Sequence, residues 1–355
     1  MSKKVVLVTG GNGLVGRAIK EVALNPNTEP AFRAADDETW VFVSSKDGDL
    51  RDPAQTEKLF ETYKPTHIIH LAAIVGGLYT NMSHNLTFLR ENLLINDNVL
   101  HCAHKHKVSK VISCLSTCVF PDEKEVKDIY PLTEKKIHLG SPHPSNFGYS
   151  HAKRLIDVQN RAYRQEFGCN FTSAIPTNVF GKHDNFDLEE SHVIPGLIHK
   201  CYLADRDGLT FRPMGSGKPL RQFIYSVDLA KLFVWMLRNY DDVEPLILSV
   251  PEEQEVSIKF VVEGVVKALE KNRDSRRAKD PSVPPFDFKT EWNTQAADGQ
   301  FRKPASNAKL ASLLEKSGVD FKFTKFEDAL QDTVDWFVEN YDKDARIGKA
   351  KEAKA

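Results

Sequence analysis

Short apolar runs alternate along the first half of the chain with longer segments in which apolar residues recur at helical spacing. Residues 4–9 form a β-branched run, and residues 17–22 follow with helical spacing. Similar apolar runs occupy residues 40–44, 67–72 and 110–115, and the segments between them are long enough for crossover helices. The alternation predicts an α/β fold with a doubly wound parallel sheet of the Rossmann type.

The second half of the chain continues this pattern less regularly. Residues 170–176 and 245–250 are predicted as buried strands, and residues 226–239 and 330–341 as helices with an apolar face. The segment 271–281 is densely charged and ends in proline. This composition favours a surface loop or linker.

Three glycines lie between the first predicted strand and the first predicted helix. Gly10, Gly13 and Gly16 have the spacing G-x-x-G-x-x-G, and Leu14 and Val15 open the helix. Glycine lets the backbone approach a pyrophosphate, whose charge then faces the N–H groups of the helix start. A glycine triplet alone is usually a turn, but its place directly after a buried strand predicts a dinucleotide site.

The end of the second predicted strand bears on the choice between NAD and NADP. Proteins that bind NAD in this way commonly carry an acidic residue there, whereas this chain has Ser44, Ser45 and Lys46. Hydroxyl groups and a cation suit the 2'-phosphate of NADP, so we expect NADP(H), although Lys46 is also compatible with an ordinary surface charge. We expect Asp49 and Leu50 to border the adenine.

Tyr149 and Lys153 are four positions apart in a predicted helix, which places both on one face. A cation beside a phenol makes the phenol easier to ionise, and free tyrosine titrates near about 10. Such a pair can exchange a proton with a substrate oxygen. The spacing alone mostly marks an exposed helix face, but the glycine loop at Gly10 and the polar strand end at Ser116 favour a catalytic role.

Composition limits the classes of function. With 355 residues, 41% of them hydrophobic, the chain can bury a full core as a globular protein. The formal net charge is -1, so no overall basic field favours nucleic acid or an anionic membrane. No run of about 18 apolar residues is present, and the N-terminus lacks a signal-peptide core, so we expect a cytosolic protein. Five cysteines without C-x-x-C spacing argue against a disulfide framework and against a structural metal site.

Several motifs occur in the order typical of one enzyme family. They are the glycine loop, residues 70–73, Ser116, the pair Tyr149 and Lys153, and residues 176–181. On these motifs the chain resembles the extended short-chain dehydrogenase/reductase family over nearly its whole length.

A narrower resemblance rests on the turn after the fourth predicted strand and on two later segments. Residues 116–121, 183–186 and 191–197 are similar to the members of the family that epimerise and reduce GDP-4-keto-6-deoxy-D-mannose. Bacterial members often carry arginine where this chain has Asn12, a departure that concerns the contact with the 2'-phosphate rather than the chemistry. The resemblance implies an NADP(H)-dependent enzyme that acts on this nucleotide sugar.

The chemistry of a 4-keto sugar gives each candidate residue a role. Because the carbonyl acidifies the protons on C3 and C5, their inversion needs a base, an opposing acid and a hydrogen-bond donor for the enolate oxygen. Ser116 and Cys118 are two positions apart, so both point to one side if the extended conformation continues past Leu115. Together with the resemblance, this favours Cys118 as the base and His192 as the acid. A lone cysteine after a buried strand is otherwise most often a core residue.

The remaining expected contacts follow from the resemblance. Tyr149 protonates O4 during reduction, while Lys153 holds the nicotinamide ribose. Further cofactor contacts are expected at Leu71, Ala72, Ala73, Pro176, Asn178, Val179 and His192. Contacts with the nucleotide sugar are expected at Asn178, Val193, Leu197, Lys200, Arg221 and Lys303.

Domain boundaries follow from turn-forming residues after Gly181 and from the late return of apolar runs. We expect an NADP-binding Rossmann domain at residues 1–180, to which residues 222–250 return. A smaller α/β substrate-binding lobe is expected at 181–221 and 251–342, and a flexible tail at 343–355. Family membership also implies a homodimer formed through two helices, near residues 85–106 and 149–167.

Two alternatives remain open at this point. One is another nucleotide-sugar epimerase or dehydratase of the same family, although 4,6-dehydratases place an Asp-Glu pair where this chain has Thr117 and Cys118. The other is a non-catalytic protein that senses NADP, for which loss of Ser116, Tyr149 or Lys153 would be the expected mark.

Overall fold

The structure is a computed structural model that describes residues 3–295 and 300–347. The chain forms two compact units. The first comprises Met1–Thr177, Ser226–Pro251 and Ala305–Lys322. The second comprises Asn178–Tyr225, Glu252–Pro304 and Phe323–Ala355.

Strands and helices are numbered separately in chain order. The strands are β1 (Lys4–Thr9), β2 (Glu38–Val43), β3 (His67–His70), β4 (Lys110–Cys114), β5 (Phe171–Pro176), β6 (Asn178–Phe180), β7 (Leu220–Arg221), β8 (Phe223–Tyr225), β9 (Leu246–Leu248) and β10 (Val256–Ser257). The helices are α1 (Leu14–Leu24), α2 (Pro53–Tyr63), α3 (Leu78–Ser83), α4 (Asn85–Lys105), α5 (Phe147–Phe167), α6 (Val193–Asp207), α7 (Ser226–Asn239), α8 (Ile258–Lys279), α9 (Ala308–Lys316) and α10 (Phe326–Asn340).

The first unit is built on a six-stranded parallel sheet with the strand order β2-β1-β3-β4-β5-β9. Helices α1 and α7 pack together, and helices α2, α4 and α5 form a second packed group. The doubly wound Rossmann fold predicted from the alternating pattern is therefore confirmed. The helix predicted at residues 226–239 has the bounds of α7.

Burial explains why the strands are continuous apolar runs. All six residues of β5 and the last four of β1 are buried, whereas the edge strand β2 is only partly so. Parallel strands covered by helices on both faces have no polar side, so they lose the alternation of half-exposed strands. The core contains Ile68 of β3 and Val111 of β4, together with Val99, Leu100 and Ile156 from α4 and α5.

One segment packs differently from the division predicted by sequence. Residues 305–322 were assigned to the substrate lobe, but α9 packs beside β9 in the first unit. Asn307 Nδ2 donates to the carbonyl of Ser249 at 3.1 Å, and Trp235 Nε1 donates to Ser317 Oγ at 3.2 Å. This segment covers the β9 edge of the sheet.

The second unit contains two small sheets, the parallel pair β6-β8 and the antiparallel pair β7-β10. Helix α8 contacts both α6 and α10. Aromatic rings join the elements, because Phe180 of β6 lies 6.2 Å from Phe223 of β8 and 5.5 Å from Phe326 of α10 between ring centroids.

Two expectations for the second unit are corrected. The charged segment 271–281 is not a loop, because α8 continues through it to Lys279. Lysine and arginine are good helix formers, and Arg273 is buried in an ion pair with Asp205. In the predicted tail, the carbonyl of Arg346 accepts a hydrogen bond from Phe186 N at 3.0 Å, and residues 348–355 lie outside the described residues.

Within residues 3–295 and 300–347, no helix is both long enough and apolar enough to span a bilayer.

Candidate active site

The candidate site begins at the carboxyl edge of the large sheet, because parallel strands all end on the same edge. Strand β1 pairs with β2 on one side and with β3 on the other, so the chain changes direction across the sheet between them. Ligands of doubly wound sheets bind outside the carboxyl ends at such a point. The segments after β1, β2, β3 and β4 carry most of the predicted residues of this unit.

The glycine loop after β1 is packed so closely that side chains do not fit. Gly10 has a φ of +69°, and a Cβ there would lie 2.9 Å from the backbone nitrogen of Ala72. A Cβ on Gly16 would lie 2.4 Å from the carbonyl oxygen of Gly10. Gly13 precedes α1 without a side-chain cap, and the first N–H groups, at Leu14 and Val15, have no acceptor within the helix. A backbone of this kind fits a pyrophosphate.

A buried polar network that the sequence analysis missed ties this loop to the loop after β3. Thr9 Oγ1 accepts from the backbone nitrogens of Leu71 and Ala72, each at 3.2 Å, and lies 2.8 Å from His70 Nδ1. His70 Nε2 lies 3.1 Å from Asn96 Oδ1. Burial, together with the charge of Lys153, lowers the pKa of His70 to about 3, so the ring is neutral at physiological pH.

The turn after β2 presents the predicted 2'-phosphate residues to solvent. Ser45 and Lys46 are exposed, and Lys46 has no ion pair in the described part of the chain. An acidic residue, Asp47, does follow this strand. Its carboxylate accepts hydrogen bonds from Ser44 N at 2.8 Å and from Ser44 Oγ at 3.0 Å. Asp47 therefore closes the turn with its carboxylate.

Asp49 and Leu50, the two residues expected beside the adenine, come shortly after this turn in the chain. Asp49 forms a two-point ion pair with Arg51, whose Nε and Nη2 lie 2.9 and 2.7 Å from its carboxylate oxygens. These hydrogen bonds hold the pKa of Asp49 below its ordinary value. Leu50 is half-buried, and its carbonyl accepts from Asn98 Nδ2 at 2.9 Å. The segment is thus fixed by its neighbours.

Helix α5 brings Tyr149 and Lys153 together as predicted. Lys153 Nζ lies 5.9 Å from the centroid of the Tyr149 ring and donates to the carbonyl of Cys114, at the end of β4, at 2.8 Å. Lys153 is buried and Tyr149 half-buried. The pair therefore sits beside the loop that follows β4.

The electrostatics of this pair differ from the expectation of an easily ionised phenol. Burial raises the pKa of Tyr149 well above its ordinary value, and the thiols of Cys118 and Cys114 add to this effect. Burial also lowers the pKa of Lys153. Burial is the largest of these effects on Tyr149, which is therefore held as a protonated donor.

The loop after β4 also differs from the predicted geometry. The extended conformation continues only through Ser116, because Thr117–Val119 form a turn of 3-10 helix with Ser116 as its N-cap. Ser116 Oγ accepts from the backbone nitrogen of Cys118 at 3.4 Å. Ser116 and Cys118 are therefore close because the chain curls, not because side chains two apart share one side of a strand.

Cys118 still belongs to the same cluster. The side chain is 9% exposed, and its charge state affects the pKa values of Tyr149, Lys153 and Arg154. Arg154, which the sequence analysis did not single out, hydrogen-bonds the carbonyl of Val119 in the same turn. The first unit thus brings together Ser116 and Cys118 with the pair on α5.

The other predicted cofactor and substrate contacts lie at the end of β5 and in the second unit. Pro176 ends β5 in the first unit. In the second unit, Asn178 is exposed and donates through Nδ2 to the carbonyl of Gln222 at 2.9 Å, and Val179 is half-buried in β6.

Helix α6 of the second unit carries four predicted residues. His192 is its N-cap residue and is exposed. Partial desolvation of the imidazole lowers its pKa. Val193, Leu197 and Lys200 follow at i, i+4 and i+7 spacing, which places them on one face of the helix. Val193 and Lys200 are exposed and Leu197 is half-buried.

Basic residues of the second unit gather around the pair β7-β10. The backbone nitrogen of Leu220 donates to the carbonyl of Phe301 at 2.7 Å, which brings Lys303 near Arg221 in β7. Arg302 pairs at 2.5 Å with Glu255, a carboxylate whose side chain is only 4% exposed. Arginine and lysine side chains such as Arg221, Arg302 and Lys303 are of the type that binds a diphosphate.

Residues 3–295 and 300–347 contain no group of three or more His, Cys, Asp or Glu side chains arranged to hold a metal ion.

Comparison with known proteins identifies the family of this chain. The sequence model of the NAD dependent epimerase/dehydratase family matches residues 6–250 of the chain. The chain belongs to the NAD dependent epimerase/dehydratase family. The match spans the glycine loop, the turn after β4, the pair on α5 and the segment Asn178–Tyr225 of the second unit.

Curated members of the family resemble the chain over nearly its full length. GDP-L-fucose synthase of Dictyostelium discoideum is 50% identical over 341 residues, which cover 96% of this chain and 97% of that protein. The probable GDP-L-fucose synthase of Drosophila melanogaster is 50% identical over 347 residues, covering 96% and 99%.

A solved structure of a family member agrees in fold. The GDP-L-fucose synthetase of Naegleria fowleri bound to NADP is 44% identical, covers 97% of this chain and 95% of its own, and superimposes with a TM-score of 0.84.

Proposed function

We propose that this protein is a GDP-L-fucose synthase, an NADP-dependent enzyme that converts GDP-4-keto-6-deoxy-D-mannose to GDP-L-fucose by 3,5-epimerisation and 4-reduction. The observation that carries the proposal is the identity of 50% with a GDP-L-fucose synthase over 96% of the chain. The arrangement of Ser116, Cys118, Tyr149 and Lys153 around the end of β4 supports it chemically.

NADPH, when bound, supplies the hydride for C4 of the sugar. The glycine loop and the start of α1 would hold its pyrophosphate, and Ser45 and Lys46 its 2'-phosphate. Asp49 and Leu50 would border the adenine. The relative from Naegleria fowleri that superimposes with a TM-score of 0.84 is bound to NADP, which supports this choice of cofactor.

Epimerisation requires removal of the protons that flank the 4-keto group. Ser116 donates a hydrogen bond to the carbonyl oxygen, which stabilises the enolate charge as each C–H bond breaks. Cys118 removes the proton, and His192 delivers one from the opposite face. Cysteine and histidine side chains are among those that serve as general bases and acids in enzymes.

Reduction uses the pair on α5. Tyr149 donates its proton to O4 as C4 is reduced, and its raised pKa keeps that proton in place until then. Lys153 holds the nicotinamide ribose and stabilises the tyrosinate that remains. Its ammonium is anchored by the carbonyl of Cys114, which orients it beside the phenol.

The second unit supplies the contacts with the nucleotide sugar. Arg221, Lys200 and Lys303 would neutralise the diphosphate, and a guanidinium can do so through two hydrogen bonds. Asn178 would contact the sugar. Val193 and Leu197, which share a face of α6, would pack against the guanine base.

Isotope exchange in Cys118→Ser tests the proposed function. Wild-type protein incubated with substrate in deuterated water is expected to exchange the C3 and C5 hydrons, and Cys118→Ser to lose this exchange while binding NADPH normally. Cys169→Ser is the control, because that thiol is half-buried and does not interact with Tyr149 or Lys153. Exchange at the wild-type rate in Cys118→Ser would remove the thiol from the mechanism.

A homodimer is part of the proposal. Helices α4 and α5 pack against each other and expose apolar side chains, among them Leu86 at 68%, Leu94 at 43% and Val158 at 46%. Pairing with the same helices of a second copy would bury them in a four-helix bundle. Light scattering should give a dimer mass that Leu86→Arg with Val158→Arg reduces to a monomer, and that Leu209→Arg, on a different exposed leucine, does not.

We also place the protein in the cytosol. All of its cysteines are unpaired thiols, as is usual in a reducing compartment.

A further inference from the structure

The turn that carries Cys118 has little backbone support of its own. Two hydrogen bonds close it, from Val119 N to the carbonyl of Ser116 at 3.1 Å and from Phe120 N to the carbonyl of Thr117 at 3.3 Å. A single turn of 3-10 helix has poor hydrogen-bond geometry and is seldom stable alone. Its position must therefore be set by contacts with other elements.

Arg154 of α5 supplies such contacts with its whole guanidinium group. Its Nε and Nη2 donate to the carbonyl of Val119 at 2.9 and 2.5 Å, and its Nη1 donates to the carbonyl of Gly140 at 2.8 Å. Hydrogen bonds from a charged donor are stronger than neutral ones. One side chain thus joins the end of the Cys118 turn to the loop at residue 140 and to α5.

The residue before Arg154 holds the other end of the same segment. Lys153 donates to the carbonyl of Cys114, the last residue of β4. Two consecutive cations of α5 therefore hydrogen-bond backbone carbonyls four residues before and one residue after Cys118. Ser116 and Cys118 lie on the piece of chain between these two anchors.

The charge of Arg154 also reaches the thiol. The guanidinium and Cys118 interact electrostatically, which partly offsets the lowering of the Arg154 pKa by burial. The other titratable groups that interact with Cys118 are Tyr149 and Lys153 on the same helix, and Cys114 lies within the same set at the end of β4. Arginine stays protonated at any pH at which the protein is folded, so its field is constant.

We propose that Arg154 is a positioning residue for the epimerisation steps: its hydrogen bonds to Val119 and Gly140 hold Cys118 where it can reach the ring protons of the sugar. The inference rests on the proposed function, in which Cys118 is the base. Arg154 does not touch substrate or cofactor in this account. It acts on the geometry of the turn, and the reduction by Tyr149 depends on it much less.

Arg161 is a matched control on the same helix. It lies seven residues further along α5, and its Nε pairs with the buried carboxylate of Asp157 at 2.9 Å. No hydrogen bond joins it to the turn at residues 117–119 in the described chain. Replacing it removes an equal charge and an equally long side chain from α5.

The test compares Arg154→Met, Arg154→Lys and Arg161→Met by the exchange of the C3 and C5 hydrons of GDP-4-keto-6-deoxy-D-mannose in deuterated water. Loss of the three charge-assisted hydrogen bonds should slow exchange by roughly tenfold to a hundredfold in Arg154→Met. NADPH affinity should stay within about twofold, and a larger share of the reduced sugar should keep its original configuration at C3 and C5. Arg154→Lys, which keeps the charge and one donor, should recover part of the loss.

Three results would overturn the inference: wild-type exchange in Arg154→Met, an equal loss in Arg161→Met, or a loss of hydride transfer as large as the loss of exchange. If Arg154→Met does not fold, Arg154→Lys decides by the same exchange measurement. The proposed function is judged separately by Cys118→Ser. If that variant loses exchange while the Arg154 variants keep it, only the role of Arg154 is refuted.

Discussion

Two strand ends on the carboxyl edge of the large sheet are held in place in different ways. The loop after β1 is held by backbone packing at close range, since a Cβ on Gly16 would approach the carbonyl of Gly10 to 2.4 Å. The turn after β4 is held by side chains of α5, because Lys153 and Arg154 bond the carbonyls of Cys114 and Val119. The contact between Gly10 and Gly16 is local in sequence, whereas the contacts that α5 makes with the turn are not.

This difference separates the two tasks that we assign to the edge. A loop defined by glycine tolerates almost no change, as is appropriate where a pyrophosphate must meet bare backbone. A turn defined by charged side chains from a helix can be adjusted by single substitutions on that helix. We therefore expect cofactor binding to depend on residues 10–16 and epimerisation on residues 114–119 with α5.

Gly16→Ala should have the largest effect on cofactor binding. Because the new Cβ collides with backbone, the loop must shift, and displacement by about 1 Å can weaken NADPH binding by about a hundredfold or more. Fluorescence titration with NADPH measures this. Gly208→Ala is the control for backbone strain without a collision, since Gly208 has a φ of +65° and no atom lies within 4 Å of its Cβ position. Equal NADPH affinity in Gly16→Ala and the wild type would contradict the account of the loop.

Tyr149→Phe should slow the reduction step and leave the epimerisation steps largely unchanged. Removing the proton donor should slow hydride transfer by about a hundredfold to ten-thousandfold, the range typical of general acids. Exchange of the C3 and C5 hydrons should continue, because Cys118 and its turn are intact. Stopped-flow absorbance of NADPH and NMR of the sugar report the two steps. Reduction at the wild-type rate would refute the role of the phenol.

Thr9→Val should have a smaller effect, on stability. The hydroxyl serves the backbone nitrogens of Leu71 and Ala72 and the ring of His70, so its loss leaves buried groups unpaired at a cost of about 1–3 kcal/mol. Urea unfolding measures the change. Thr62→Val, at an exposed hydroxyl on α2, should change stability by less than about 0.5 kcal/mol. Equal stabilities of the two variants would show that the network contributes nothing.

The pH dependence of stability should show the smallest effect near neutrality. The pKa of His70 falls from the ordinary 6.5 to about 3 on folding. Between these pH values the imidazole is protonated in the unfolded chain and neutral in the folded chain. The free energy of unfolding therefore decreases as pH falls from 6.5 towards 3 and loses nothing more from this group below that. His70→Asn should flatten this decrease in urea unfolding at several pH values, whereas His101→Asn, at an exposed histidine, should not.

What could be predicted from the sequence follows the same division. The sheet, the glycine loop and α7 were predicted because they are encoded by neighbouring residues. The 3-10 turn after Ser116 and the role of Arg154 were not, because both involve contacts of α5 with residues 114–119, more than thirty residues away in sequence. The raised pKa of Tyr149 was missed for a similar reason, since spacing shows the cation but not the burial.

Helix α8 is the opposite case, in which the local signal misled. Its charged C-terminal part has the composition of a loop, yet it continues the helix to Lys279 because Arg273 is buried in an ion pair with Asp205. That ion pair joins α8 to α6, and no pattern of neighbouring residues in the sequence predicts it.

The most direct test is the identity of the sugar formed. Incubation of the protein with NADPH and GDP-4-keto-6-deoxy-D-mannose in deuterated water should give GDP-L-fucose with deuterium at C3 and C5 and a hydrogen from NADPH at C4. NMR of the product distinguishes the positions. A reduced sugar with its original configuration and no deuterium at C3 and C5, or no reduction at all, would contradict the account.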